Sequence, residues 1–180
     1  MAQKVVDVTI RGIASLLQHR FPDDAKPDNG EAVRVGGKRD YSDQVEKALY
    51  RNPDGSIYQP ASHIEGAMVK AATKFQIGGR GKKTYKDLFK SGIVVGPEAI
   101  PLKFETQTVD RRSVIINRGR IMRERPKFDT WELNFEITIM DDQLPVKVVN
   151  QVLVEAGQYQ GIGDYRPKFG RFMVTKFEEK

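Results

Sequence analysis

Between Trp131 and Ile139 the chain alternates without a break. Trp131, Leu133, Phe135, Ile137 and Ile139 are apolar, and Glu132, Asn134, Glu136 and Thr138 between them are polar. Successive strand residues point to opposite faces, so this period of two specifies a strand with one face buried and one wet. Such strands belong to antiparallel sheets covered on a single side. Something apolar must therefore lie on the Trp131 face, and two amphipathic segments can supply it. Ile64, Met68, Ala71 and Phe75 recur at helical spacing, with Ala67 and Ala72 beside them. Asp141 to Pro145 opens a second helix, with Pro145 in its first turn. Its stripe is Val148, Val149, Val152, Leu153 and Ala156.

Three further strands complete the pattern. Val6, Val8 and Ile10 alternate with Asp7, Thr9 and Arg11, Ile93-Val94-Val95 is a short buried run, and Arg171 to Phe177 closes the chain. The order strand, helix, strand, strand, helix, strand predicts an α+β, ferredoxin-like (βαββαβ) antiparallel sheet with both helices on one face. Ile10, Ile64, Met68, Phe75, Leu133, Phe135, Ile137, Val149, Leu153, Phe172 and Val174 are expected in one core. The 180 residues fit a single domain, 1–180, with insertions at about 22–56 and 109–127.

The first insertion opens with a long polar loop, Pro22 to Asp40, and continues into a short helix with Ser42 as N-cap and Val45, Ala48 and Leu49 on one face. Ser62 and Glu65 match a capping box for the first core helix. Gly66, inside that helix, costs about 1 kcal/mol relative to alanine and predicts close backbone packing there. The helix is expected to run up to Gly78-Gly79. The stretch Gly78 to Thr84 lacks the spacing of a nucleotide phosphate loop and follows a helix instead of a strand. A basic turn with Lys82 and Lys83 remains, then a short helix from Tyr85 to Phe89.

A formal net charge of +6 and a pI near 9.5 favour a polyanionic partner. The charge concentrates between Val109 and Lys127, where Arg111, Arg112, Arg118, Arg120, Arg123, Arg125 and Lys127 outweigh Asp110 and Glu124. Apolar runs flank Asn117-Arg118-Gly119-Arg120, a hairpin signal, so a basic arm is expected to project from the body. Guanidinium forks suit phosphates; a merely solvated basic face is the alternative. The second concentration is Gly161 to Phe172, with Gly161, Gly163 and Gly170, the rings Tyr165 and Phe169, and the cations Arg166, Lys168 and Arg171. Accessible amides around Gly161 and Gly163, a ring to stack on and nearby cations suit an unpaired strand. A plain connection built of turn residues is the alternative. Arg20, Ser62, His63, Lys82 and Lys83 complete the candidate nucleic-acid contacts.

The absence of cysteine excludes disulfides and thiolate zinc sites, and two histidines make a histidine-rich metal site unexpected. No cofactor is expected. With no signal-peptide pattern and no long apolar run, the chain reads as soluble and cytoplasmic.

Pro60-Ala61-Ser62-His63-Ile64-Glu65-Gly66-Ala67 resembles the start of the first helix in RAMP proteins, the repeat-associated subunits of CRISPR systems. Gly161 to Phe172, between the second helix and the last strand, is similar to their glycine-rich loop, though Asp164 stands where a basic residue is more usual. The nearest subgroup is the backbone subunits that coat guide RNA as a filament. The resemblance implies a ferredoxin-like core, binding to the RNA backbone, and a hairpin thumb at Arg111 to Arg125 that spaces bases. A stand-alone relative carried by a phage or other mobile element fits the same motifs.

Three functions compete. The first is a non-enzymatic protein that binds single-stranded RNA or single-stranded DNA, assembling as a homo-oligomer, a filament or a ribonucleoprotein backbone. The second is a RAMP-type endoribonuclease, with His19 or His63 as general base, or metal-assisted cutting through Asp23, Asp24 or Asp28. The third is a structural subunit whose basic face meets an acidic protein.

Overall fold

The computed structural model describes residues 3–21, 33–35, 38–40, 42–116 and 119–180. Asp23, Asp24, Asp28 and Arg118 lie outside them. In chain order the elements are β1 (Lys4–Gly12), β2 (Leu16–Leu17), β3 (Val33–Val35), β4 (Lys38–Asp40), α1 (Ser42–Ala48), β5 (Tyr58–Pro60), α2 (Ala61–Ala71), α3 (Lys86–Gly92) and β6 (Ile93–Gly96). Then follow β7 (Ala99–Phe104), β8 (Gln107–Ile116), β9 (Gly119–Phe128), β10 (Trp131–Ile139), α4 (Val146–Glu155) and β11 (Phe172–Glu179).

The alternating strand, β10, is the centre of the main sheet. It pairs antiparallel with β1 from Lys4↔Ile139 to Arg11↔Glu132. Its other edge carries β6 against Glu136–Ile139 and β7 against Trp131–Leu133. Pro97, which has no N–H to donate, separates these two pieces. β11 pairs with the outer edge of β1, and β5 with the outer edge of β7. The order β11-β1-β10-β6/β7 is that of a ferredoxin-like sheet, as the sequence pattern predicts.

Helices α2 and α4 cover one face, where Ile64, Met68, Val149, Val152 and Leu153 are buried with Val6, Ile10, Leu133 and Ile137. Phe75 and Val174 pack at the margin, half-buried. The opposite face is wet and laced with ion pairs: Arg11 and Lys103 meet Glu132, and Lys180 meets Asp7 and Glu136.

Several local expectations need correction. α2 ends at Ala71 and tightens into a 3₁₀ turn at Ala72–Lys74, so Phe75 lies beyond it in extended backbone. Ser62 does not cap α2, because Pro60 holds the N-cap position and no side-chain cap bond forms. Glu65 reaches sideways instead, and its Oε1 accepts the Val95 N–H at 2.9 Å, tying α2 to β6. A Cβ at Gly66 would meet nothing within 4 Å, so no close packing explains that glycine. The polar loop contains a two-stranded ladder of β3 and β4. Among the described residues, no helix is long and apolar enough to cross a membrane.

Phe135 is 4% exposed in this core. Phe135→Ala is expected to lower unfolding free energy by about 3–5 kcal/mol in urea titration.

Candidate nucleic-acid interface

The hairpin and the glycine-rich loop are joined through a short segment that follows β1. Leu16 and Leu17 are fully buried and pair with Phe128 and Lys127 of β9. Around them the backbone is engaged in several directions. The Gly170 N–H donates to Ser15 O and the Asp164 N–H to Leu17 O, both at 2.8 Å. The Gln18 N–H donates to Pro126 O at 3.2 Å, and the Arg20 N–H to Ala48 O at 2.9 Å. Trp131 Nε1 donates to Ala14 O at 2.9 Å.

This arrangement decides what the loop glycines do. Gly161 and Gly163 have φ of +66° and +76°, a region that L side chains rarely adopt. A Cβ at Gly163 would strike Leu17 O and Leu16 Cδ1, and one at Gly161 would strike the backbone of Phe169 and Gly170. The Gly161 N–H donates to Ala156 O and the Ile162 N–H to Gly170 O. The expectation that amides around Gly161 and Gly163 face a ligand is therefore corrected: the close approach belongs to the chain itself. The turn these glycines present is Tyr165-Arg166-Pro167-Lys168, all exposed.

The hairpin forms as predicted, with Ile116 opposite Gly119, but its base does not project. Asp110, Glu124 and Arg125 are buried, and the Glu124 N–H donates to Gln44 Oε1 of α1 at 3.3 Å. Strand alternation puts Asp110, Arg112, Arg123 and Arg125 on one face. Arg125 Nε lies 2.6 Å from Asp164 Oδ2. The two atoms are in ionic contact without hydrogen-bond alignment, and Arg125 Nη1 is buried with no hydrogen-bond partner. Arg112 Nε donates to both Asp110 oxygens, at 2.9 and 2.8 Å. Its guanidinium lies 5.3 Å from the Tyr165 ring centre and 4.8 Å from that of Phe169. The bond to Asp110 is the main influence holding Arg112 above the usual arginine pKa. Arg111 is paired with Glu124 across the ladder.

Next to this seam lies a polar and aromatic cluster at the start of α2. Tyr50 sits 5.7 Å from Tyr58 and edge-on to His63 at 5.5 Å, centre to centre. Burial is the main cause that raises the Tyr50 pKa; Tyr58 and Asp164 add to it and Arg20 opposes it. The His63 pKa is lowered, first by burial and then by Arg166. Gln18 and Gln59 are both fully buried beneath these rings.

The structure thus brings together Arg20, His63, Arg112, Arg125, Tyr165 and Arg166, with Ser62 and Lys168 exposed at the edges. Lys82 and Lys83 are not among them. Their turn hangs from the far end of α2 through the Gln76↔Thr84 bridge, about 16 Å along the helix axis from Ala61. Arg120 is exposed on the distal hairpin, and His19 is exposed just past β2. Sequence reading missed Gln18, Gln59 and Tyr50, and noted Asp164 only as a departure from a basic residue, without a role. Their partners lie far away in the chain, as for Gln18 and Gln59, 41 residues apart, and no local pattern marks them. Among the described residues no cluster of three metal-ligating side chains occurs.

No protein-family model matches the sequence, and no curated protein is similar to it by sequence. Among solved structures, the fold is similar to a chain in a cryo-EM structure of the Type III-B Cmr-beta bound to cognate target RNA. The TM-score is 0.61 at 13% identity, covering 98% of this chain and 60% of that one. The present chain thus spans about 60% of the length of its structural neighbour. The likeness shows a shared ferredoxin-like fold.

Gly163→Val is expected to act on folding. Positive φ at a β-branched residue and collision with Leu17 O should cost at least about 1–3 kcal/mol, read as a lowered melting temperature without any ligand. A variant of unchanged stability would place that glycine against solvent.

Proposed function

We propose that the protein binds single-stranded RNA without cutting it, as a RAMP-like component of a multi-subunit ribonucleoprotein. One observation carries this reading: cations, polar groups and ring surface from three separate elements converge on a single seam. The start of α2 contributes Ser62 and His63, the loop contributes Tyr165, Arg166 and Lys168, and the hairpin contributes Arg112, next to the buried Arg125–Asp164 pair. Tyr165 is 46% exposed, which leaves a ring face for a base while Arg112 lies near its π system. Base stacking tolerates any sequence, and phosphate contacts position a strand without reading it.

The open sheet face is a poor alternative. Ferredoxin-like sheets that bind RNA there do so by stacking bases on aromatic side chains. Here that face presents Asp7, Thr9, Asn134, Glu136 and Lys176, with its charges already paired. That a chain of similar fold belongs to an assembly bound to cognate target RNA also supports the reading. The distal hairpin with Arg120 would then act as a thumb along the strand, and further copies or partner subunits would extend the seam.

Labelled oligouridylate incubated with Mg²⁺ should be bound and recovered intact; cleavage would instead favour the endoribonuclease reading. Replacing Arg166 and Lys168 together by glutamine should leave the fold intact. The slope of log affinity against log salt should then shrink by about 1.4, roughly 0.7 for each phosphate no longer neutralised. An unchanged slope would mean the loop tip does not meet the RNA backbone.

A further inference from the structure

Gln18 and Gln59 form a relay whose orientation is set by the backbone. Gln18 Oε1 accepts the Tyr50 N–H at 3.1 Å, and Gln18 Nε2 donates to Tyr58 O at 2.8 Å. An N–H can only donate and a carbonyl can only accept, so the Gln18 amide has one possible orientation. Its Nε2 also lies 3.0 Å from a Gln59 side-chain atom, which must therefore be the oxygen. The NH₂ of Gln59 is then directed at His63 Nδ1, 2.5 Å away. An NH₂ group needs an acceptor there, so Nδ1 carries no proton and the proton of neutral His63 resides on Nε2.

We infer that Gln18 and Gln59 are positioning residues that fix His63 as a neutral Nε2–H donor for an acceptor oxygen of the bound RNA. The inference deepens the RNA-binding reading above and rests on it. Protonating Nδ1 would set two donors against each other, so the relay resists the imidazolium form. The charged and titratable surroundings act the same way or are more distant: Arg166 from the loop lies on the His63 side, and Tyr50 meets the ring edge-on. Tyr58, Arg20 and Asp164 act on Tyr50 beyond it. A histidine whose Nε2 already holds the proton cannot remove one from a 2′-hydroxyl through that atom. The relay thus makes His63 a ligand-holding group and disfavours it as a general base.

Long-range ¹H–¹⁵N correlation spectra of the wild-type protein at pH 7 test this without RNA. Nε2 should be protonated and Nδ1 bare; an Nδ1–H tautomer or an imidazolium would overturn the relay. The second arm is oligouridylate binding between pH 8 and pH 6. Wild-type affinity should stay within about twofold, because His63 does not change charge. Gln59→Glu places a carboxylate at Nδ1, which favours the imidazolium, so its affinity should rise severalfold as pH falls. A wild-type rise towards pH 6 that His63→Ala abolishes and His19→Ala leaves intact would overturn the inference. Failure of the wild-type protein to bind RNA, with the Nε2–H signature present, would instead overturn the proposed function and leave the tautomer assignment standing.

Discussion

The backbone of Ala14 to Arg20 holds the functional side of the molecule together. Within seven residues it meets Trp131 of the central strand, both ends of the glycine-rich loop, the base of the hairpin and the end of α1. Leu16 and Leu17 anchor it by complete burial. Polar backbone buried in this way must find partners, and each bond it makes fixes one neighbouring element. Gly163 is glycine because this segment passes directly beneath it. The loop tip is exposed because the two ends of the loop are tied down.

Electrostatics then sorts the arginines of the hairpin. Those at the base are engaged inside the protein, Arg111 with Glu124, Arg112 with Asp110 and Arg125 with Asp164. They dock the hairpin, and only part of their charge is left for a ligand. Arg125 is the unusual member, a buried cation beside the Asp164 carboxylate whose Nε and Nη1 both lack a hydrogen-bond partner. Asp164, an acidic residue in a loop otherwise rich in cations, is explained by that neighbour. Its carboxylate offsets the cost of burying Arg125, a desolvation that would otherwise be severe.

The fold was legible because its signals are local and periodic. The alternation of β10, the stripes of α2 and α4 and the glycine at the hairpin tip each specify an element, and their order specifies the sheet. The site was legible only in its charges. Its builders are non-local: Leu16-Leu17 is too short a run to read as a strand, and Gln18 and Gln59 look like solvent-exposed glutamines until the fold buries them. The loop glycines were read as leaving amides open to a ligand, but a glycine does not reveal what lies opposite it, and here that is the protein's own backbone. Ser62 and Glu65 matched a capping box in spacing, but Pro60 starts the helix two residues before Ser62, and Glu65 satisfies an edge strand instead.

Photocrosslinking of 4-thiouridine-substituted single-stranded RNA, followed by peptide sequencing, tests the central claim most directly. The RNA should crosslink within the seam, to Tyr165 and its neighbours in the loop, the start of α2 and the Arg112 face of the hairpin. Crosslinks confined to the open sheet face, around Thr9, Asn134 and Lys176, would contradict it.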